Sequence, residues 1–394
     1  MGRIIVFTGK GGVGKTSVAA AHAVKSAGEG KKTLLVSADM AHNLGDIFRI
    51  EVGSKPVLAG ENLWLQELAP DELMREEFPN ANAAIAELLR GSGLPTGNLD
   101  ENTLIPGFEN LFSLLKIGSI YESGEYERIF IDCAPTGETL SLLKLPELLS
   151  WYMEKFFPVG KAMVRALSPV AKTKYKVKLP SGKAMNELEE LHGKLVELQE
   201  LLQDDSICTV RLVCIPEKMV VEETKRNFMY LNLYGYQADG VYINRVLPPE
   251  ADSPFLQNWQ EIQKKYIGEL ERIFAQIPIT RIPWYPREVR GREAIDRLCG
   301  DVLTAEDLFE VRAHTEPETY EAVEGGYCLI LKIQGASREE VSVLHRDMDI
   351  EVKLHNFNRC IPLPNTLRGA EMTKVDVEND LVRVTFRLKE GGEQ

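Results

Sequence analysis

Directly after the apolar run Ile4-Ile5-Val6-Phe7 the chain reads Gly9-Lys10-Gly11-Gly12-Val13-Gly14-Lys15-Thr16, followed by Ser17. Strand, glycine-rich turn and helix start in that order satisfy the G-x-x-x-x-G-K-[ST] pattern. Glycines let successive backbone N–H groups curl around an anion with no Cβ in the way. The helix that follows adds the positive end of its dipole, and Lys15 adds a full charge near the β- and γ-phosphates. Thr16 offers a hydroxyl to Mg²⁺ bridging the same phosphates. The segment therefore predicts nucleotide binding at the end of the first strand of a parallel sheet.

The rest of the chain supports that architecture. An alanine-rich helix runs from Thr16 to Ala27, and Thr33-Leu34-Leu35-Val36-Ser37 reads as a second buried strand. Arg128 to Asp132, Val210 to Ile215, Val241 to Asn244 and Ile277 to Ile282 supply further strands. Leu188, Leu191, Leu195, Leu198 and Leu202 form one apolar stripe at helical spacing, expected in the core or at a subunit seam. Thr315 to Gly326 is glutamate-rich with paired glycines and reads as a linker. Beyond it, Leu329, Leu331 and Ile333, then Val382, Val384 and Phe386, alternate with polar residues in a small antiparallel β domain. The expected division is a nucleotide-binding unit over 1–312 with a helical insert at about 139–203, a linker over 313–326 and a β sandwich over 327–394.

Three carboxylates stand where phosphate chemistry needs them. Asp39, just past a strand, suits Mg²⁺ through water. Asp46 lies seven residues further on and can orient the attacking water. Asp132 ends the strand Arg128 to Asp132 and fits the second carboxylate near Mg²⁺; Pro135-Thr136-Gly137 after it would form a γ-phosphate-sensing turn.

These blocks resemble the ArsA-type ATPases, the family of the arsenite-pump ATPase and the tail-anchored-protein targeting ATPase. Asp39 to Phe48 is similar to the family's D-P-A-H-[SN]-L-x-D-x-F switch, and Asp132 to Leu140 to its D-x-A-P-T-G-H-T-L switch. Glu223-Thr224-Lys225-Arg226, Asn244-Arg245-Val246-Leu247-Pro248 and Arg287-Glu288-Val289-Arg290-Gly291 match later blocks, so the likeness spans about residues 1–310. It implies a homodimeric ATPase using ATP and Mg²⁺. Lys10 would be the second loop lysine that reaches the partner's nucleotide, and Asn244 would read the adenine edge, helped by the segment from Pro283 through Glu288 to Val289. Met40 and Glu138 depart from the family's proline and histidine. The β domain is similar to the α-crystallin domain of small heat-shock proteins.

Function classes narrow by charge and cysteine. A net charge of −13 argues against nucleic acid, and no run of about eighteen apolar residues spans a bilayer, leaving at most transient membrane contact. Cys133, Cys208, Cys214, Cys299, Cys328 and Cys360 form no pair of the C-x-x-C kind and read as reduced thiols of a cytoplasmic protein. The zinc clasp of the fungal and animal targeting ATPase is missing from Ala251 to Ile267, and no thiol cluster resembles a metalloid site. Lys155 to Met185 carries eight basic residues and no acid, with Phe156, Phe157 and Met163 interleaved, where the targeting ATPase forms its client groove. The expected function is an ATPase that binds and releases a hydrophobic protein client; an arsenite-pump ATPase stimulated by metalloid is the alternative.

Overall fold

In a computed structural model, residues 2–39, 44–69, 109–133, 182–250, 253–311, 318–345, 349–355, 357–367, 369–378 and 380–388 are described. The Pro135 turn, Glu138, Met40 and the basic stretch with Phe156, Phe157 and Met163 lie outside them.

Among the described residues, eight strands form the central sheet in the order β3-β4-β2-β5-β1-β6-β7-β8. They are β1 (Arg3–Thr8), β2 (Thr33–Ser37), β3 (Val57–Gly60), β4 (Leu63–Glu67), β5 (Arg128–Asp132), β6 (Cys208–Cys214), β7 (Ala238–Val246) and β8 (Ile279–Pro283). All neighbours pair in parallel except β3 with β4. Ile4, Ile5 and Phe7 of β1 and every residue of β6 are buried, because helices cover both faces of a parallel sheet. The antiparallel edge β3 was not expected from sequence; none of its four residues is fully buried, Leu58 is exposed, and they carry no alternation.

Register sets the site. Phe7 of β1 stands beside Asp132 of β5, and Asp132 beside Ser37 of β2. The ends of these strands therefore open on one edge, where the chain leaves β1 for β5 and β2 on one side and β6 on the other. Such a switch point is where open α/β sheets hold ligands. Helix α1 (Lys15–Gly28) starts there and is pinned through His22, whose Nδ1–H donates to Val18 O at 2.7 Å. Its Nε2 then accepts from the Tyr242 hydroxyl of β7, also at 2.7 Å. The phosphate-loop helix and the strand bearing Asn244 are thereby fixed to each other.

The leucine stripe resolves as core. Leu191, Leu195, Leu198 and Leu202 of the helix Gly182–Gln203 are buried, and Leu198 lies over Gly118 of the helix Glu109–Glu122. The second unit holds two antiparallel sheets: one pairs Glu371–Glu378, Leu381–Arg387, Gly326–Lys332 and Glu318–Val323 in that order, the other Val341–His345, Asp349–Leu354 and Phe357–Pro362. Strands β9 (Glu318–Val323) and β10 (Gly326–Lys332) form an antiparallel pair, so the glutamate-rich stretch expected as linker contains a strand. The glutamates obscured it: Thr319 and Ala322 pair with Ile330 and Tyr327, while Glu321 and Glu324 face solvent. Leu329, Leu331, Ile350, Val352, Val384 and Phe386 fill the space between the sheets. This unit docks on the helix Lys218–Leu233: Tyr234 Oη donates to Asn358 O at 3.0 Å and Arg359 Nη1 to Leu233 O at 2.9 Å.

Candidate functional site

The phosphate loop is built from close approaches that side chains would block. At Gly9 an added Cβ would lie 2.1 Å from Val213 O, and at Gly14, with φ +97°, 2.4 Å from Asn244 Nδ2. Lys15 is 6 % exposed and its Nζ donates to Lys10 O at 3.5 Å, so the loop curls around its own lysine. Two consecutive residues at the end of β7 hold the loop from behind. Asn244 Nδ2 donates to Val13 O at 2.8 Å, and Arg245 Nη2 to Gly12 O at 2.9 Å. Carbonyls drawn outward leave the amides of Gly12 to Lys15 to face an anion. Gln263 braces this clamp, with Nε2 on Arg245 O at 3.0 Å and Oε1 accepting from Leu247 N at 2.9 Å.

Asn244, expected to read adenine, thus has its amide engaged within the chain, since its Oδ1 also accepts Arg245 N at 2.8 Å. It lines a cavity of about 580 Å³ together with Gly14, Ser17, Asp46, Pro283, Glu288 and Val289. The expected base-binding segment and the loop are brought together there. Arg245 was missed by sequence reasoning; its left-handed backbone, φ 56° on a non-glycine residue, has no sequence signature.

Asp132 is fully buried, and among the described residues no hydrogen bond of full geometry reaches either carboxylate oxygen. Burial pushes its pKa up to about 7, against the Thr16 hydroxyl and the Lys15 ammonium nearby, which favour the charged form; Asp39 raises it further. A carboxylate with two unsatisfied oxygens beside a threonine hydroxyl and a second aspartate fits a divalent cation and its waters. The residues that would hold Mg²⁺ are Thr16 and, through water, Asp39 and Asp132. Held there, Mg²⁺ would supply charge neutralisation for the phosphates of a bound nucleotide. Asp132→Asn is therefore expected to raise the melting temperature of the nucleotide-free protein by several degrees, by removing a buried unpaired acid. It should also slow Mg-dependent hydrolysis by at least about tenfold; calorimetry and phosphate release measured on the same preparation check both.

The two residues expected to act on the γ-phosphate are each engaged in an ion pair. Lys10 Nζ lies 3.1 Å from Glu223 Oε2 on the helix Lys218–Leu233. Asp46, on α2 (Leu44–Phe48), has Oδ1 at 3.0 Å from Arg290 Nη2, while Arg290 Nε donates to Asp46 O at 3.0 Å. Both pairs are solvent-exposed and are worth at most about 1 kcal/mol each, so nucleotide can exchange them cheaply. The helix itself is anchored: Glu67 Oε1 accepts the N–H groups of Leu44 and Gly45 at 3.1 and 3.3 Å.

The family model for anion-transporting ATPases matches residues 2–304, and that for the HSP20-like domain found in ArsA matches residues 324–386. The chain belongs to the ArsA-type ATPase family. It is 35 % identical over 394 residues to a Chlorobaculum tepidum protein named as an arsenical pump-driving ATPase, covering 99 % of this chain and 97 % of that one. A similarly named Aquifex aeolicus protein is 32 % identical, covering 97 % of this chain and 99 % of its own length. The ATPase GET3 of Phaeosphaeria nodorum is 31 % identical over 307 residues, covering 75 % of this chain and 93 % of that protein. This ArsA-type chain is accordingly an ATP hydrolase, with the phosphate loop at the switch point of its sheet and an HSP20-like sandwich at its C-terminal end.

Proposed function

We propose that this ArsA-type ATPase works in the cytoplasm as a Mg-dependent homodimer whose nucleotide state opens and closes a surface for an apolar protein segment. The observation that carries the reading is the position of Lys10. It belongs to the phosphate loop, yet its ammonium turns away to Glu223 while Asp46 turns to Arg290. A single chain with both groups diverted holds ATP but lacks the charges that hydrolysis needs. A second copy supplying its Lys10 to the γ-phosphate completes the site, and the exchange of weak ion pairs gives closure a low cost. The adenine edge then competes with Val13 O for the Asn244 amide, so base recognition and loop shape are linked. Among the described residues no helix is long and apolar enough to cross a membrane.

The names of several relatives favour a second reading, a metalloid-stimulated pump ATPase. The thiols speak against it. None of the six cysteines is in a disulfide; Cys133, Cys208, Cys214 and Cys328 are buried, and no group of three or more metal-ligating residues occurs among the described ones. Burial pushes the Cys214 thiol up to about 12 and Cys299 up to about 11, whereas soft As(III) needs accessible thiolates. Arsenite is therefore expected to leave ATP turnover unchanged, and single cysteine-to-serine variants to keep the basal rate. Several-fold stimulation by arsenite, abolished by one cysteine change, would establish the pump reading instead.

A further inference from the structure

The segment Tyr285–Arg290 borders the nucleotide cavity and also a second cavity of about 820 Å³. Arg49, Arg287, Arg290, Arg292 and Arg297 line this second space, against two carboxylates, Glu288 and Glu293. In a chain of net charge −13, that is a local inversion of sign. Arg292 pairs with Asp296 at 2.9 Å and Arg290 with Asp46 at 3.0 Å. Arg49, Arg287 and Arg297 form no ion pair with a described residue. Arg49 is further held in a left-handed backbone conformation, φ 58°, with its guanidinium against Gly291. Backbone conformations that L side chains rarely adopt persist where the surroundings over-determine them, often at ligand clamps.

We propose that this arginine-lined cleft binds a carboxylate-rich segment of a protein partner, and that the segment competes with Asp46 for Arg290. Guanidinium forks match carboxylates two bonds at a time, and several spaced forks suit a chain of acids better than one small anion. The volume exceeds what a single phosphate fills. A nucleic acid would carry its charge beyond the cleft against an acidic protein, whereas a short acidic segment presents its charge only inside it. Arg290 links the cleft to the chemistry, because the guanidinium that faces the cleft also holds Asp46 at both Oδ1 and the backbone oxygen. A partner carboxylate on Arg290 releases Asp46 toward the nucleotide. This second half rests on the hydrolytic role proposed for Asp46; the binding half does not.

The test uses the full chain and a labelled oligoglutamate peptide read by fluorescence anisotropy. The peptide should bind, more weakly as salt rises. Affinity should fall about tenfold or more in an Arg49→Gln, Arg297→Gln double variant with unchanged melting temperature. Neither residue lines the nucleotide cavity, so turnover without peptide should not change. Equal affinity in the double variant overturns the cleft. Full displacement by inorganic tripolyphosphate at similar concentration, or tighter binding of a single-stranded oligonucleotide, overturns the peptide assignment. Saturating peptide should raise ATP turnover in the unmodified chain and leave it unchanged in Arg290→Gln. Binding that is lost in the double variant but never alters turnover overturns the competition for Arg290 and leaves the cleft standing. An Asp46→Asn variant with full turnover separately removes the role of Asp46.

Discussion

Asp46→Asn is expected to bind ATP as well as the unmodified chain and to hydrolyse it about 10²- to 10⁴-fold more slowly. The amide keeps the shape of the side chain but can neither accept a proton from water nor orient it as a carboxylate does. Asp46 is 74 % exposed and sits on a helix tied at its start by Glu67, so the substitution removes a charge without opening the core. Lys15→Ala should lose binding as well as turnover, because the glycine-rich loop curls around the buried Lys15 and would lose its enclosed positive charge. Equilibrium nucleotide binding and phosphate release, measured side by side, separate the two. Asp46→Asn with full turnover would remove that residue from the chemistry.

Mixing Lys10→Ala with Asp46→Asn subunits, each inactive alone, should restore about a quarter of the full rate if subunits exchange at random and sites are shared. Half of the dimers are then mixed, and each mixed dimer has one site with its own Asp46 and the other subunit's Lys10. The ion pair Lys10–Glu223 makes this test informative, since it places the Lys10 ammonium on a helix outside its own loop. If Lys10 worked in its own subunit, no mixed site would be complete and no rescue would follow. The presence of mixed dimers is confirmed by differently tagged subunits.

Much of the fold is visible in the residues themselves. Strands Thr33–Ser37 and Arg128–Asp132 have the bounds that their apolar runs imply, and the loop follows β1 as its glycines require. Alternation in Val382, Val384 and Phe386 likewise marks a half-buried strand. Where periodicity is absent, the reading fails: β3 is short and partly buried, and β9 hides among glutamates. The site divides in the same way. Loop residues and strand-end aspartates are legible because local sequence builds them. The pairing of Arg290 with Asp46 spans 244 residues, and the Arg245 clamp depends on a strand end meeting a distant loop. Exposed charges of this kind carry no periodic signal, so only the folded arrangement reveals which acid each arginine meets.

Capture of an apolar segment tests the proposed function most directly. The Asp46→Asn protein, held in ATP and Mg²⁺, is offered a photo-crosslinkable peptide with one apolar helical stretch, and crosslinking is compared with ADP and with no nucleotide. The proposed cycle expects capture in ATP, release when the unmodified chain hydrolyses it, and no capture by Lys15→Ala, which cannot hold nucleotide. Crosslinking that is absent in every nucleotide state, with ATP binding intact and arsenite raising turnover, would contradict it.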